Sequence, residues 1–282
     1  MDMYKQEFIQ ALAFLKEYLD QIIITGGWLP LIYRDYVVEG QTRPSLMTND
    51  IDIVVPDKLE PRGEKTLDKL LIDSGFVRRH ASLDTQTAVS YEKRVGELDI
   101  QIEFLANLKA SGSEVVVEAQ AGLHAQALRY ISILRDNAME IEMHDSVPSC
   151  GTALTIKVPR PGAYIFQKGL TFARRRHEEK KAKDLYYIFD VLTLDEPLSR
   201  RISDEILQIR SKYPAKWFAR FLAQLEGQFA DEASAGPAYV SRQRPLGAFP
   251  DLNEPQFRMY VTSVFHGFLA DLTFCAPTIS TK

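Results

Sequence analysis

The first apolar positions of the chain recur at helical spacing. They are Phe8, Leu12, Leu15 and Leu19. Because residues three and four apart share one face of a helix, this spacing predicts an amphipathic helix over residues 4–19. The apolar run Ile22–Ile24 then predicts a short strand that a glycine pair ends. A second helix is expected from Leu29 to Tyr36, since a proline is tolerated in the first turn of a helix.

Alternation of apolar and polar residues predicts several strands further along the chain. They cover residues 48–55, 86–91 and 97–105, and the later runs GSEVVVEAQ and MEIEMHD. In such a pattern one face of the strand is buried and the other is polar. Residues 64–75 instead have helical spacing and predict a helix that ends at Gly75.

The pattern changes after Pro159, where helical spacing replaces alternation. The predicted helices cover residues 162–176, 181–194, 200–229 and 256–272. Residues 231–256 contain glycine, proline and serine and are predicted to form a loop. The sequence therefore predicts an α+β protein, with a mixed α/β domain over residues 1–155 and a helical domain over residues 156–282.

Charge and cysteine content narrow the class of protein. The 282-residue chain has a formal net charge of -4, which argues against general nucleic-acid binding but allows a local basic patch. Cys150 and Cys275 lie far apart and match no metal-ligand spacing, so we expect no disulfide framework and a reducing cytoplasm. The acidic N-terminal segment does not resemble a signal peptide, and no apolar run is long enough for a membrane span. We expect a cytoplasmic protein without a membrane partner.

Two acidic residues stand at the start of one predicted strand, although aspartate is disfavoured in strands. Side chains alternate along a strand, so Asp50 and Asp52 share one face while Ile51 and Ile53 point into the core. Carboxylates this close repel each other unless a cation lies between them. Mg²⁺ prefers one or two protein carboxylates together with phosphate oxygens. The pair therefore indicates phosphoryl or nucleotidyl transfer; the alternative is a strand end capped by water.

A glycine pair precedes these acids. In ITGGW, residues 24–28, Gly26 and Gly27 lie between a strand and a helix start. Glycines allow a phosphate to approach the backbone, and the first N–H groups of a helix can bind it. The alternative is an ordinary tight turn between a strand and a helix.

A third set of acidic residues lies on a later predicted strand. In LDIQIEFLANL, residues 98–108, one face carries Asp99, Gln101 and Glu103. A carboxylate from this strand could complete a site for two metal ions, which clamp the attacking and leaving oxygens of an in-line displacement. The alternative is a strand face exposed to solvent, above all for Asp99.

The order of these motifs resembles the nucleotidyltransferase superfamily that includes DNA polymerase β. Thr25-Gly26-Gly27 looks like its glycine motif, and Thr48-Asn49-Asp50-Ile51-Asp52 looks like its S/T-x-D-h-D motif. The stretch GLHAQALRYISIL adds to this resemblance. The segment from Pro159 to Leu192 has a proline-led helix, a lysine, an arginine cluster and K-D-L-Y. It is similar to bacterial nucleotidyltransferase-like proteins related to abortive-infection toxins.

This resemblance implies a nucleotidyltransferase-like sheet domain and a helical domain that closes the nucleotide cleft. It implies that Asp50, Asp52 and Glu103 are catalytic and bind two Mg²⁺ ions, with Asp99 as the alternative third acid. It further implies an NTP site built from the glycine backbone and from the helical domain. The nucleotide-binding residues would be Gly26, Gly27, Lys168, Lys183 and Asp184.

The chain departs from the family pattern at a few positions. Trp28 stands where many relatives carry serine, which predicts a lost hydroxyl contact and added bulk near the nucleotide. Relatives of the toxin type often have an arginine shortly before the aspartate motif, and the nearest candidates here are Arg34 and Arg43. Glu103 as the third acid is less usual than aspartate. These departures motivate an alternative in which the protein binds a nucleotide or a partner without catalysis.

Positive charge is concentrated in residues 168–183, against the negative charge of the whole chain. The cations are Lys168, Arg174, Arg175, Arg176, Lys180, Lys181 and Lys183. Lys168 and Arg175–Arg176 are expected on one helix face, which could neutralise triphosphate charge or hold an RNA backbone. The alternative is a solvated turn in which Glu178 and Glu179 pair with the cations.

Together these patterns predict a magnesium-dependent enzyme that moves a nucleoside monophosphate from an NTP, such as ATP, to an acceptor hydroxyl. The acceptor would be RNA, a protein or a small molecule. Most of the rate would come from positioning and charge neutralisation. The alternatives are a toxin acting on tRNA, with an antitoxin as partner, and the protein that binds without catalysis.

Overall fold

The chain is described by a computed structural model over residues 3–38, 40–80, 89–108, 115–144 and 153–274. It divides into two compact units, of which the first comprises Met1–Leu29 and Met47–Pro159. The second comprises Pro30–Leu46 and Arg160–Lys282. The first unit contains the strands and the second is helical, so the predicted α+β class is confirmed.

Within the described residues, seven strands of the first unit form one mixed sheet. They are β1 (Ile23–Thr25), β2 (Asp50–Val54), β3 (Val77–His80), β4 (Val89–Val95), β5 (Leu98–Asn107), β6 (Val115–Gln120) and β7 (Leu123–Leu128). The order is β1-β2-β5-β4-β3, and β7 joins the far end of β5 and pairs with β6. The pairs β2–β5 and β5–β7 are parallel, whereas the others are antiparallel. Strands β8 (Ala138–Met143) and β9 (Leu154–Pro159) form a separate antiparallel pair.

Short helices complete the first unit. They are α1 (Met3–Ala13), α3 (Leu67–Asp73) and α4 (Ile131–Asp136), while α2 (Leu29–Tyr36) begins at the boundary between the units. Helix α3 begins three residues later than predicted, where the Thr66 hydroxyl accepts the Lys69 N–H, and Gly75 follows its end at φ +87°. An apolar cluster joins α4 to the sheet through Ile23, Val54, Leu105, Ile131 and Leu134.

The second unit is helical beyond Arg160. Its helices there are α5 (Pro161–Thr171), α6 (Glu178–Leu192), α7 (Glu196–Arg210), α8 (Ala215–Gln228), α9 (Ala235–Arg242) and α10 (Glu254–Phe274). Pro161 begins α5, where its missing N–H costs nothing. At the start of α7 the Asp195 carboxylate accepts the Leu198 N–H at 2.6 Å.

Several predicted helix limits were wrong. The helix expected over 162–176 ends at Thr171 and continues only as the 3-10 turn Phe172–Arg174. The helix expected over 200–229 is two helices, because Pro214 has no N–H to continue a helix and restricts the residue before it.

Helix α9 occupies part of the stretch that was predicted to be a loop. Its Gly236 packs closely, since an added Cβ would lie 2.4 Å from the Gln228 carbonyl oxygen. The glycine therefore permits close packing at the end of α8 and does not mark a turn.

Three strands were not predicted at all: β3, β7 and β9. Of the predicted strands, residues 86–88 and 112–114 lie outside the described residues, as do Cys150 and Cys275. In the part of the chain that the structure describes, no helix is both long and apolar enough to cross a bilayer.

Candidate active site

The two aspartates lie on one face of β2. Ile51 and Ile53 are fully buried, whereas Asp50 is exposed and Asp52 is half-buried. This alternation gives both carboxylates the same side of the sheet. The position of the pair at the start of a central strand follows from its two apolar neighbours, which anchor β2 in the core.

The register of the sheet puts a third carboxylate beside this pair. Strand β2 runs parallel to β5, with Asp52 opposite Glu103 and Asp50 opposite Gln101. Residues in register on neighbouring strands project from the same face about 5 Å apart. Gln101 and Glu103 are half-buried like Asp52, and the Gln101 side chain donates to the Glu103 carboxylate at 2.7 Å. One oxygen of Glu103 is thereby oriented by an amide.

The alternative third acid lies elsewhere. Asp99 is exposed, precedes the part of β5 that pairs with β2, and forms an ion pair with Arg94 of β4 at 3.2 Å. Of the two acids considered from the sequence, Glu103 is therefore the one in register with Asp52.

The glycine turn packs directly against Asp52. Strand β1 is antiparallel to β2, with Thr25 opposite Asp52, and a 3-10 turn of Gly26–Trp28 follows. Gly26 has φ +81°, and a Cβ built on it would lie 2.1 Å from Oδ2 of Asp52. Only glycine satisfies both the backbone angle and the close approach. Gly27 is half-buried in the same turn.

Replacement of Gly26 by alanine tests this contact. The methyl group must displace the Asp52 carboxylate, and a displacement of about 1 Å at a reacting centre can cost on the order of 100-fold in rate. The positive φ adds about 1–3 kcal/mol of strain. We therefore expect Gly26→Ala to lower the rate of a reaction carried out at Asp52 about 100-fold, as measured by its turnover.

Gly63→Ala is the matched control for this variant. Gly63 also has a positive φ, in the same unit, but an added Cβ would meet nothing within 4 Å. It should cost stability without a comparable loss of activity. Equal losses of activity in both variants would show that backbone strain alone, and no contact with Asp52, explains the effect.

Trp28, which was expected to add bulk near the nucleotide, lies in the core of the first unit. It is 1% exposed and stacks with two rings of α1, with 4.5 Å to Tyr4 and 4.0 Å to Phe8 between ring centroids. The tryptophan thus packs the end of the glycine turn against α1.

The three residues predicted from the helical half lie in the second unit, and two of them form an ion pair. Lys168 of α5 bonds to Oδ1 of Asp184 on α6, and Arg175 bonds to Oδ2 at 2.7 Å. Asp184 is 3% exposed and Lys168 is 7% exposed. Burial raises the pKa of Asp184, but the two cations outweigh it and hold the pKa below its ordinary value. Lys183 precedes Asp184 on α6 and is half-buried.

Both arginines considered before the aspartate motif are engaged within the second unit. Arg43 donates to the Asp190 carboxylate at 2.8 Å and to the Thr193 carbonyl at 2.9 Å, and it lies 4.5 Å from the centre of the Phe249 ring. Arg34 pairs with Asp35 at 2.7 Å and donates to the Arg43 carbonyl at 2.9 Å. These contacts tie residues 30–46 to α6.

Asp50, Asp52 and Glu103 lie on one sheet face, and Asp52 is both in register with Glu103 and packed against the glycine turn. Their oxygen chemistry fits magnesium. Across the described residues, no group of three or more His, Cys, Asp or Glu side chains is already arranged around a metal position. One or two protein carboxylates suffice for Mg²⁺ when phosphate oxygens complete its shell.

Comparison with known proteins shows the family to which the chain belongs. The model of a family described as nucleotidyltransferase matches residues 6–204, and the chain belongs to that family. The family match covers β2, β5 and the glycine turn together with Lys168 and Asp184. No curated protein matches this chain.

Two solved structures are similar at low identity. An antigenic nucleotidyltransferase-like protein from Paracoccidioides brasiliensis is 16% identical, with 76% of this chain and 92% of that chain covered and a TM-score of 0.36. A protein from H. pylori described as a nucleotidyltransferase is 10% identical, with 98% and 99% covered and a TM-score of 0.38.

Proposed function

We propose that this nucleotidyltransferase depends on magnesium and moves a nucleoside monophosphate from an NTP to an acceptor hydroxyl in the cytoplasm. The observation that carries the proposal is the register of Asp52 with Glu103, with Gly26 packed against the Asp52 carboxylate. In the reaction, the acceptor oxygen bonds to the α-phosphorus while the bond to the β-phosphate oxygen breaks. Pyrophosphate leaves, and the hydroxyl proton passes to a base.

The side chains have distinct parts in this proposal. Asp50 and Asp52 would supply the carboxylate ligands for magnesium, with Glu103 as the third acid. Bound magnesium supplies charge neutralisation at the phosphate oxygens. Gly26 and Gly27 carry no side chain of their own, so the turn would let phosphates approach its backbone beside the Asp52 carboxylate. The Gln101 amide holds the Glu103 carboxylate, which limits its rotation before the nucleotide binds.

A role for the second unit in nucleotide binding stays a prediction from the sequence. Lys168, Lys183 and Asp184 are the residues concerned. Asp184 is bonded to both Lys168 and Arg175, so its first effect is to fix these two cations. A fixed cation is better placed to meet phosphate than a mobile one, because less side-chain entropy is lost on binding.

The direct test is incubation with each labelled NTP, Mg²⁺ and separate pools of RNA, protein and small molecules. We expect label in one pool, dependent on the metal and lost on addition of a chelator. Binding of an NTP with no transfer to any pool would contradict the proposal and favour the alternative in which the protein binds without catalysis.

A second candidate function, a toxin-type nucleotidyltransferase acting on tRNA and neutralised by an antitoxin, is favoured by the surface at the start of α6. Arg174, Arg176 and Lys180 are exposed there. The two neighbouring acids are directed towards α9: Glu178 accepts the Tyr239 hydroxyl at 3.2 Å, and Glu179 accepts from the Gln243 side chain at 2.7 Å. These bonds give the two carboxylates neutral partners, although their charge still offsets part of the positive charge nearby.

Reversal of charge tests this surface. Each phosphate contact made by a cation releases counterions, so its loss lowers the slope of log affinity against log salt by about 1. We expect the double variant Arg176→Glu with Lys180→Glu to bind a tRNA probe more weakly, with a slope smaller by about 2. The measurement is fluorescence anisotropy over a range of salt concentrations.

Lys212→Glu with Lys216→Glu provides the control, since both lysines are exposed in the same unit. Equal weakening in the two double variants would indicate only general electrostatics. In cells, a toxin of this kind should slow growth on expression, and Asp50→Ala should remove the defect. Normal growth with the wild-type protein would contradict the toxin function.

A further inference from the structure

One side chain of α1 contacts the start of the strand that carries the aspartate pair. The Tyr4 hydroxyl donates to the Thr48 carbonyl and accepts the Thr48 N–H. The Thr48 hydroxyl in turn accepts the Asp50 N–H at 3.3 Å. Two successive hydrogen-bonded steps therefore link Tyr4 to the first aspartate, although 44 residues separate Tyr4 from Thr48.

The ring of the same tyrosine contacts the glycine turn. It stacks on Trp28 with 4.5 Å between centroids and 19° between planes. Trp28 ends the turn that begins at Gly26, and Gly26 packs against Asp52. Tyr4 thus contacts both segments that border the candidate site, one through its ring and the other through its hydroxyl.

The hydroxyl contact supplies hydrogen bonds that the sheet does not. Thr48 precedes β2 and lies outside the ladders that join β2 to β1 and β5. Tyr4 is buried and Thr48 is half-buried, so water competes only in part for the contact between the hydroxyl and the Thr48 backbone.

We propose that Tyr4 is a positioning residue for the pair Asp50 and Asp52. It holds the backbone at Thr48 and so sets where β2 begins relative to the glycine turn. The consequence for ligand binding rests on the proposed function, whereas the consequence for the backbone does not. Without the hydroxyl, the start of β2 is free to shift and the Asp50 carboxylate loses its fixed position.

The variant that tests this is Tyr4→Phe, which keeps the ring stack on Trp28 and removes the hydroxyl. Tyr18→Phe is a matched control in the same unit: the Tyr18 hydroxyl also donates to a backbone carbonyl, that of Lys65 at 2.8 Å, and accepts the Arg62 N–H at 3.0 Å. Both variants lose the same type of contact, but only one of them lies next to β2.

The first measurement is hydrogen exchange of the backbone amides without metal or nucleotide. Tyr4→Phe should speed exchange at residues 48 and 50 on the order of tenfold, as loss of one hydrogen bond implies. Tyr18→Phe should leave these two amides unchanged and affect Arg62 instead. Unchanged exchange at residues 48 and 50 in Tyr4→Phe would overturn the proposal.

The second measurement is the affinity for Mn²⁺ and for ATP with Mg²⁺, by calorimetry. Tyr4→Phe should weaken binding on the order of tenfold, and Tyr18→Phe should not. Faster exchange with unaltered affinity would also overturn the proposal, because the contact would then be purely structural. If the wild-type protein binds neither metal nor nucleotide, the proposed function fails, and the exchange result alone decides the role of Tyr4.

Discussion

Replacement of Asp52 by asparagine is expected to abolish detectable nucleotidyl transfer while leaving the fold intact. The substitution keeps the shape of the side chain against Gly26 and removes its charge. Loss of one group that stabilises charge in the transition state costs on the order of 100- to 1000-fold in rate, and Asp52 would also be a metal ligand. The measurement is transfer from a labelled NTP under saturating Mg²⁺.

The thermal stability of Asp52→Asn should not fall with its activity. Asp50 and Asp52 share one strand face, so removing one charge relieves repulsion between them. We expect the thermal midpoint of Asp52→Asn to equal or exceed that of the wild type in the absence of metal. A large loss of stability together with the loss of activity would mean that the carboxylate is structural.

Asp99→Asn is the control for this experiment. Asp99 is exposed and paired with Arg94, and exposed ion pairs contribute only about 0.2–1 kcal/mol. Its activity should stay close to that of the wild type. Glu103→Gln should instead lose most of the activity, and retention of activity in Glu103→Gln with loss in Asp99→Asn would reverse the choice of third acid.

The sequence predicted which side chains share one face of a strand, but it did not predict which residues of neighbouring strands lie opposite each other. Alternation placed Asp50 and Asp52 on one side of a strand because side-chain direction is a local property of the backbone. The pairing of Asp52 with Glu103 depends on which strands become neighbours in the sheet. The two residues lie 51 positions apart in the sequence, on strands that run parallel. Local periodicity has no means of encoding such a pairing.

Contacts between distant side chains were likewise beyond the sequence pattern. Tyr4 fits the helical spacing of α1 and gives no local sign that its hydroxyl meets Thr48. Arg43 was a candidate for the arginine that toxin-type relatives have before the aspartate motif, and it bonds to Asp190, 147 positions away. Each of these residues is of a type that is common in its position, so the sequence gives no sign of its partner. Tertiary packing decides which partner it contacts.

The prediction for the basic segment was wrong about the helix that would align its cations. A continuous helix was expected to align Lys168 with Arg175, but α5 ends at Thr171 and Arg175 has an extended backbone. Both cations nevertheless converge on Asp184. The buried carboxylate of α6, and not helical periodicity, brings them together.

This convergence makes Asp184→Ala the second variant with a large expected effect. Removal of the carboxylate leaves the buried Lys168 side chain without its ion-pair partner. Breaking a buried pair by deleting one member costs about 3–5 kcal/mol, because the remaining charge has lost both water and its counterion. We expect the free energy of unfolding to fall by about this amount, as measured by urea denaturation at neutral pH.

Two further variants separate charge from side-chain volume. Asp204→Ala removes an exposed aspartate from α7 in the same unit and should change stability by less than about 0.5 kcal/mol. The double variant Lys168→Met with Asp184→Leu replaces the buried pair by apolar groups and should recover much of the loss, since Arg175 is 41% exposed and can turn to water. A double variant as unstable as Asp184→Ala would show that the geometry of the pair matters more than its desolvation.

The dependence of the free energy of unfolding on pH is a further test of the role of Asp184. The pKa of Asp184 is lowered in the folded protein because Lys168 and Arg175 outweigh its burial. A lowered carboxyl pKa stabilises the fold above the unfolded value of 3.8, and this contribution disappears as pH falls through the folded pKa. The difference in stability between wild type and Asp184→Ala should therefore shrink below about pH 4.

Asp190 should have the opposite dependence and so serves as an internal comparison. Its burial raises the pKa, and the Arg43 guanidinium lowers it without fully compensating. A raised carboxyl pKa makes ionisation unfavourable to folding, so the contribution of Asp190 to stability improves as pH falls towards 3.8. Asp184→Ala and Asp190→Asn should thus diverge when their stabilities are followed from neutral to acid pH. Asp184 is bonded to two cations and Asp190 to one. Parallel curves of stability against pH would mean that these two buried carboxylates are electrostatically alike, contrary to these bonds.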